Sequence, residues 1–320
     1  MSLPQPVTRR DTVLDPWIDT YAERTHGLTV SAVRALFSVA NRPEVVSLAG
    51  GMPNIADLPR EAIGEAIAAL IRDRGAQAMQ YGSGQGEPFM REHITEVMAE
   101  EAIAAHPDDV VVSCGSQQAL DLVTRTFCDP GDVILAEAPS YVGALGTFRA
   151  YQVQIVQVAM DERGIVPQAL REAVAACRAV GKRVKFLYTI PNFQNPTGVT
   201  QSLERRREII AVAHELDLLI VEDNPYGLLT IEGEPLPALR SMDDERVIYL
   251  GSFSKVLLPG LRVGFLIAPA LLQPALRDDA HALAERLDAM RGEVTPGRAA
   301  EEQRLTVFEL VRVTVPGARG

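Results

Sequence analysis

The sequence predicts an α/β protein in which helices cover both faces of a mostly parallel sheet. Between residues 109 and 250, short β-rich runs alternate with helical stretches of about 10–15 residues. This alternation is typical of crossover units, which place successive strands parallel to one another. Several runs are apolar throughout, as in residues 218–221 (LLIV), and burial on both faces of a sheet requires such strands.

The predicted elements follow one another in chain order. The strands are rich in β-branched, aromatic and other apolar residues and span 109–113 (DVVVS), 133–136 (VILA), 153–158 (VQIVQV), 184–188 (VKFLY), 218–221 (LLIV) and 247–250 (VIYL). The helices span 116–127, 143–150, 167–180 and 203–216. Ligands of such open sheets bind beyond the carboxyl ends of the strands, so the residues after each strand are the first candidates for a site.

Composition and charge narrow the possible functions. Of the 320 residues, 47% are hydrophobic and 23% are charged, and this composition is close to the average of soluble globular proteins. The length suggests about two domains. The net charge of −11 opposes a nucleic acid or an anionic membrane as the main partner. The cysteines at 114, 128 and 177 are odd in number and lack metal-ligand spacing, so we expect reduced thiols and no metal site. Without a signal-peptide pattern or a long apolar segment, we expect a cytoplasmic protein.

Polar residues follow three of the predicted strands in patterns that fit ligand binding. After residue 113, Gly115 permits a tight turn, and Ser116 and Gln117 begin a helix whose free N–H groups can bind a phosphate; an ordinary helix cap is the alternative. After residue 188 comes the polar turn 191–198 (PNFQNPTG), which a turn preference alone would also explain. After residue 221 comes Asp223, which requires hydrogen-bond donors or a cation if it is buried, although it could simply cap a helix.

Lys255 follows the last predicted strand, in the segment 251–265 (GSFSKVLLPGLRVGF). A lysine that faces a crevice loses hydration, so its pKa falls and its amine becomes a better nucleophile toward carbonyls; a solvated surface lysine is the alternative. The four strand ends together offer a phosphate seat, an amide, a carboxylate near a tyrosine, and a lysine near Ser252, Ser254 and Arg262. This combination predicts a site for a phosphorylated aromatic aldehyde, with which the lysine forms a Schiff base while Asp223 protonates a ring nitrogen.

The sequence resembles the fold-type I pyridoxal-phosphate-dependent aminotransferases of class I and II. The motifs NPTG (195–198), DNPY (223–226), SFSK (252–255) and PGLRVG (259–264) occur in the family's order. The segments SLAGGMP (47–53), QYG (80–82) and GSQQ (115–118) resemble the 2-aminoadipate, kynurenine and multi-substrate aminotransferase subgroup. The resemblance covers residues 28–275. It implies an aspartate-aminotransferase-like large domain of three layers (α/β/α) and transamination between an L-amino acid and a 2-oxo acid, with pyridoxal 5'-phosphate as cofactor.

The resemblance also implies a role for each residue of the motifs. Lys255 would bind the cofactor aldehyde and move the substrate proton, and Asp223 would pair with the ring nitrogen. Asn195 and Tyr226 would hydrogen-bond the phenolic oxygen of the ring, and Tyr141 would stack on the ring. The phosphate would be held by Ser116, Gln117, Ser252, Ser254 and Arg262.

Three further residues gain roles from the resemblance. Tyr81 resembles a tyrosine that reaches the phosphate of the neighbouring subunit, which implies a homodimer. Arg34 matches a helix arginine that meets the substrate side chain, although a solvated helix charge is the alternative. Gly51 and Asn195 are the other implied substrate contacts.

The resemblance predicts three segments along the chain. Residues 1–45 would be the N-terminal segment of a small domain, 46–270 the cofactor-binding large domain, and 271–320 a divergent and incomplete C-terminal part of the small domain. From about Arg277 the sequence no longer resembles the family, and the arginine that grips the substrate carboxylate is not recognisable, so a truncated or frameshifted terminus is expected. The alternatives to an active aminotransferase are a catalytically impaired cofactor-binding remnant and a regulator-type cofactor domain.

Overall fold

The computed structural model describes most of the middle of the chain. It covers residues 17–25, 45, 51, 53, 58–229, 234–272 and 276. These residues belong to the first of the two units into which the chain divides, Met1–Arg277, and the second unit, Asp278–Gly320, lies outside them. Arg34 also lies outside the described residues. The predicted domain boundaries at 45 and 270 therefore stay predictions.

Within the described residues, eight strands form one sheet in the order β1-β8-β7-β6-β5-β2-β3-β4. The strands are β1 (Val110–Ser113), β2 (Val133–Ala138), β3 (Gln154–Asp161), β4 (Gly164–Ile165), β5 (Val184–Thr189), β6 (Leu219–Asp223), β7 (Val247–Ser252) and β8 (Gly264–Ile267). The strands β3, β2, β5, β6 and β7 are parallel, as predicted. β8 runs antiparallel between β1 and β7, and the two-residue β4 runs antiparallel to β3.

The helices of the described residues lie between the strands and before them. They are α1 (Arg60–Ala78), α2 (Pro88–Met98), α3 (Ser116–Phe127), α4 (Val142–Ala150), α5 (Pro167–Ala179), α6 (Leu203–Leu216) and α7 (Leu239–Met242). Short 3-10 turns occur at Ile18–Thr20, Glu23–Thr25, Ala99–Glu101, Pro107–Asp109, Pro259–Leu261 and Ala270–Leu272. The four helices predicted from the sequence are present within one residue of their predicted ends, and the six predicted strands within three residues.

Alternate side chains of the central strands enter two different hydrophobic clusters. Along β2, Ile134 packs in the cluster that includes α3 and α4, whereas Leu135 packs in the cluster that includes α5 and α6. In β5, Phe186 packs in the first of these clusters and Leu187 in the second. The sheet is therefore buried on both faces, which confirms the layered α/β architecture and explains why its strands are apolar throughout.

The register of the sheet aligns the ends of its central strands. Thr189 at the end of β5 pairs with Glu222 of β6, and Asp223 pairs with Leu250 of β7. At the other side, Gly264 at the start of β8 lies between Ser113 and Ser252, the last residues of its two neighbours. The loops that follow β1, β2, β5, β6 and β7 are thereby gathered at one edge.

Helix α1 differs from the other long helices because none of its residues is buried. Its apolar side chains Ile67, Leu70 and Ile71 are about half exposed, and Met79 just beyond it is exposed. In the part of the chain that the structure describes, no helix combines the length and the apolarity needed to cross a membrane.

Candidate active site

A cavity of about 220 Å³ lies at the carboxyl ends of the central strands. Ten of the residues predicted from the sequence to form the site line this cavity: Ser116, Gln117, Tyr141, Asn195, Asp223, Tyr226, Ser252, Ser254, Lys255 and Arg262. The other lining residues are Gly115, Leu120, Ile190 and Pro225. Residues separated by more than 140 positions in the sequence therefore meet because parallel strands end at the same edge.

One end of the cavity is formed by the start of α3 and by Arg262. Gly115 precedes the helix with φ +86°, and a Cβ atom at this position would lie 2.6 Å from Arg262 Nη2. The absence of a side chain lets the guanidinium approach the helix N-terminus, where it donates to the carbonyl of Cys114 at 3.1 Å. Both the cation and the helix N-terminus favour an anion, so this end has the chemistry of a phosphate seat.

Two serine hydroxyls complete this end of the cavity. Ser252 Oγ donates to Ser254 Oγ at 2.8 Å, and it accepts from the backbone N–H of Ser254 at 3.1 Å. Ser252 ends β7 opposite Gly264, and the sheet register thereby places these hydroxyls near the start of α3. Hydroxyl groups in a fixed turn can reorient to donate to a bound anion.

Asp223, at the end of β6, has one carboxylate oxygen available to a ligand. The side chain is 5% exposed, and its Oδ2 accepts from Tyr188 OH at 2.6 Å. Its Oδ1 is buried and has no hydrogen-bond partner among the described residues. Burial raises the pKa of Asp223 to about 6, and the hydrogen bond from Tyr188 opposes this rise. A buried acceptor without a partner is costly, and an N–H on a ligand in the cavity would satisfy it.

Three side chains with polar groups surround the middle of the cavity. Tyr226 interacts with Asn195 by a side-chain hydrogen bond, which lowers the pKa of the tyrosine, while burial, the larger effect, raises it. Tyr141 is partly buried before α4, and burial together with the charge of Asp223 raises its pKa. These neutral groups can hydrogen-bond a ligand ring or pack against it.

Lys255 lies in the turn after β7, half-buried at the cavity wall. Its Nζ donates to the carbonyl oxygen of Gly51 at 2.8 Å. Burial lowers the pKa of the Lys255 amine, so a larger fraction is neutral and nucleophilic at neutral pH than for a solvated lysine. The structure thereby brings Gly51, which was predicted as a substrate contact, next to the lysine.

Tyr81 does not line the cavity. Its side chain is 99% exposed, and Met79, two residues before it, is also exposed. Its predicted contact with a neighbouring subunit, and the substrate contact predicted for Arg34, stay predictions.

Two residues that support the site were not found from the sequence. Tyr188 holds Asp223, and Glu137, at the end of β2, accepts hydrogen bonds from the loop that carries Asn195. The burial argument that singled out Asp223 would have found Glu137, because it is also a carboxylate that directly follows an apolar strand. For Tyr188, no sequence signal separates a strand tyrosine with a partner from an ordinary core tyrosine.

The residues present fit the phosphorylated aromatic aldehyde predicted from the sequence. The partnerless Asp223 Oδ1 suits a protonated ring nitrogen, and the Gly115 turn beside Arg262 suits a phosphate. Lys255 supplies the amine for the aldehyde.

The chain is similar to proteins of one family over most of its length. The family model for "Aminotransferase class I and II" matches residues 44–296 and so continues past Arg277, from which the sequence was expected to diverge from the family. The chain is 42% identical to aromatic-amino-acid aminotransferase 1 of Thermococcus litoralis over 78% of its own length and 60% of that protein. It is 38% identical to 2-aminoadipate transaminase of Thermus thermophilus, over 80% of the chain and 64% of that protein.

A solved structure shares the fold. The kynurenine aminotransferase of Pyrococcus horikoshii, determined in complex with PMP, matches with a TM-score of 0.76 and 35% identity, over 83% of this chain and 66% of that one. The chain thus spans less than two thirds of the length of these relatives.

Proposed function

The chain belongs to the aminotransferase class I and II family, and from this premise we propose that it binds pyridoxal 5'-phosphate and transfers an amino group from an L-amino acid to a 2-oxo acid. One observation carries the proposal. The Lys255 amine, the partnerless Asp223 carboxylate oxygen and the anion seat beside Arg262 face one cavity of about 220 Å³. A lysine, a carboxylate and an anion seat are the three groups that this cofactor requires.

The phosphate of the cofactor would be held by residues from two sides of the cavity. The helix start at Ser116 and Gln117 offers backbone N–H groups, and Ser252, Ser254 and Arg262 face it. Arg262 adds a charge-assisted bond, which is about twice as strong as a neutral one. The chain has a net charge of −11, so this local positive site is needed to hold a phosphate dianion.

The ring of the cofactor would be fixed by four side chains. Asp223 would accept a hydrogen bond from the ring nitrogen through Oδ1, and Asn195 and Tyr226 would bind the phenolic oxygen. Tyr141 would pack on the ring face. When bound, the cofactor supplies an electron-withdrawing ring that stabilises negative charge at the substrate α-carbon.

The protein's own groups orient the reactants and move protons. Asp223, held by Tyr188, would stay charged and keep the ring nitrogen protonated. Lys255 Nζ, with its lowered pKa, would accept the proton from the substrate α-carbon as a base and deliver it as an acid to the aldehyde carbon of the cofactor. Gly51, whose carbonyl accepts from Nζ, is proposed to contact the substrate beside the lysine.

The substrate class is proposed from the names of the similar proteins. Aromatic amino acids and 2-aminoadipate are proposed as donors, because the similar proteins carry these names. Arg34 is proposed to bind the side-chain end of such a donor. We also propose a cytoplasmic location, which the free thiols of Cys114, Cys128 and Cys177 support.

A homodimer is proposed because α1 presents apolar side chains to solvent next to Tyr81. Ile67, Leu70 and Ile71 are about half exposed, and a second copy would cover such a surface. Sedimentation of the full chain tests this proposal. Ile71→Glu should shift the protein toward the monomer, whereas the equally polar change Val180→Glu, at an exposed position after α5, should not.

Half-transamination tests the proposed reaction. The purified protein is loaded with pyridoxal phosphate and mixed in turn with phenylalanine, 2-aminoadipate, kynurenine and alanine, and pyridoxamine phosphate is measured in a single turnover. Formation of pyridoxamine phosphate with at least one donor is the expected result. A protein that binds the cofactor but forms no pyridoxamine phosphate with any donor would contradict the proposed activity.

A further inference from the structure

Glu137 is a fully buried carboxylate that receives hydrogen bonds from a single loop. It lies in β2, one residue before the strand ends, and is 0% exposed. Its donors are Thr189 Oγ1 at 2.6 Å, Ile190 N at 3.1 and 3.2 Å, Gln194 Nε2 at 3.1 Å and Gln201 Nε2 at 3.4 Å. All four belong to residues 189–201, the segment that leads from the end of β5 toward α6 and contains Asn195.

Gln194 extends this contact to a second loop. Its Nε2 also donates to the carbonyl of Pro139 at 2.9 Å, two residues before Tyr141. Its Oε1 accepts from Thr197 N at 2.9 Å and from Thr197 Oγ1 at 2.6 Å, so the side chain also fixes the turn around Asn195. Through Gln194, Glu137 therefore links the two loops that carry Tyr141 and Asn195 to the cavity.

The hydrogen-bond pattern favours the ionised form of Glu137. Each of its four partners donates to it, and a carboxylate accepts from all of them, whereas a protonated carboxyl would find only the Thr189 hydroxyl as an acceptor among these partners. Burial raises the pKa of Glu137 to about 7, and the hydrogen bonds from Thr189, Gln194, Ile190 and Gln201 oppose this rise. Burial therefore disfavours the charge of Glu137, and the four donors offset part of that cost.

We propose that Glu137 is a positioning residue, whose carboxylate fixes Asn195 and Tyr141 at the separation that the cofactor ring requires. This inference rests on the proposed function, because it assigns the two loops to cofactor binding. Glu137 does not line the cavity and acts through Gln194 and the backbone at Ile190.

Asp132 provides a matched control in the same part of the fold. It directly precedes β2, at the end of the strand opposite to Glu137, and is 3% exposed. It forms salt bridges with Arg183 at 3.0 Å and with Lys185 at 3.2 Å. Asp132→Asn therefore changes a buried carboxylate whose described side-chain partners, Arg183, Lys185 and the backbone N–H of Asp129, all lie away from the cavity loops.

The experiment compares three full-length variants with the wild type. Glu137→Gln keeps the shape of the side chain but presents an amide N–H₂ to donors, and Gln194→Met removes the bridge between the loops. Cofactor affinity is measured by equilibrium dialysis, and the pH at which the visible band of the bound cofactor titrates is recorded. Amide hydrogen exchange of the protein without cofactor is followed for residues 137–141 and 189–201.

Both site variants should bind pyridoxal phosphate about 10-fold or more weakly, which is the size of effect that loss of an outer-shell partner has on metal affinity. The band should titrate at a higher pH, because Asn195 no longer favours the ionised phenolic oxygen. Exchange should accelerate mainly in the two segments. Asp132→Asn should lower thermal stability while keeping the dissociation constant within about 2-fold of the wild type.

Wild-type affinity and titration pH in both Glu137→Gln and Gln194→Met would overturn the inference. If Glu137→Gln does not fold, Gln194→Met decides the question by the same measurements. If the wild type itself does not bind pyridoxal phosphate, the proposed function fails. The exchange data still test whether Glu137 fixes the two loops. Exchange that accelerates uniformly across the sheet in the variants would contradict this part of the inference.

Discussion

The Tyr188 hydroxyl donates a 2.6 Å hydrogen bond to Asp223 Oδ2 and leaves Oδ1 of the same carboxylate for the cavity. Tyr188 is completely buried, and its ring packs edge-on against Phe148 at 5.4 Å. The carboxylate therefore has one fixed orientation, with one oxygen occupied and one available. This arrangement also favours the charged form of Asp223, because a hydrogen bond to a carboxylate lowers its pKa.

Tyr188→Phe removes the hydroxyl and retains the packing of the ring. Without the donor, the pKa of Asp223 should rise above its value of about 6. Because the proposed reaction needs the ionised carboxylate, activity is lost where this group becomes protonated at low pH, and the acidic limb of the kcat profile should move to higher pH in the variant. At neutral pH kcat should fall about 10-fold, the equivalent of one hydrogen bond to a charged group. A profile that superimposes on that of the wild type would show that Tyr188 does not tune Asp223.

The sequence was sufficient to predict which residues line the candidate cavity, because strand ends can be recognised from local patterns. Asp223 and Lys255 each follow an apolar run, and in a parallel sheet such positions converge whatever their separation in the chain. The short strand β8 (Gly264–Ile267) was not predicted, because four apolar residues do not define a strand by themselves. Its insertion between β1 and β7 sets the distance between Ser252 and the start of α3.

The partners of the site residues could not be predicted from local patterns. Tyr188 and Asp223 are 35 positions apart, and Glu137 and Gln194 are 57 apart. These contacts depend on the order and register of the strands, which a single sequence does not specify. For Tyr81 the motif implies a contact with the phosphate in a neighbouring subunit, and a single chain cannot show such a contact.

Lys255→Ala should abolish the covalent attachment of the cofactor and reduce turnover below detection. The chain contains three lysines, and the other two, Lys182 and Lys185, lie just before β5 and at its start, at the opposite end of this parallel strand from the site loops. Borohydride reduction of the loaded protein followed by peptide mass spectrometry should therefore label Lys255 alone. Lys182→Ala is the control and should retain the label. Labelling of Lys182 or Lys185 in the Lys255→Ala protein would contradict the assignment.

Gly115→Ala should weaken cofactor binding through the phosphate seat. The new Cβ would lie 2.6 Å from Arg262 Nη2 and displace the guanidinium from the helix start. Gly131→Ala is a matched control, because Gly131 has a similar positive φ of +88° but no atom within 4 Å of the added Cβ. Both changes should destabilise the fold by about 1–2 kcal/mol through backbone strain. Only Gly115→Ala should raise the dissociation constant of pyridoxal phosphate, by about 10-fold or more. Equal dissociation constants for the two variants would show that Arg262 does not need this approach.

Glu101 is another buried carboxylate, and its protonation should make stability depend on pH. Glu101 accepts from Tyr249 OH at 2.9 Å and from Asn224 Nδ2 at 2.6 Å, and it is 2% exposed. Burial raises its pKa from 4.5 to about 7, and the negative charge of Glu222 adds to the rise. Between these two pKa values the folded protein binds more protons than the unfolded chain, so the free energy of unfolding decreases as pH rises. Above about pH 7 both states are ionised and this contribution becomes constant.

Glu101→Gln, which cannot titrate, should therefore remove about 1–3 kcal/mol of the stability loss between about pH 5 and pH 8. Glu137 and Asp223 titrate in the same range but are present in both proteins, so the difference between the two curves isolates Glu101. Urea denaturation of the cofactor-free wild type and variant across this range measures the effect. Parallel curves would mean that Glu101 keeps an ordinary pKa in the folded protein.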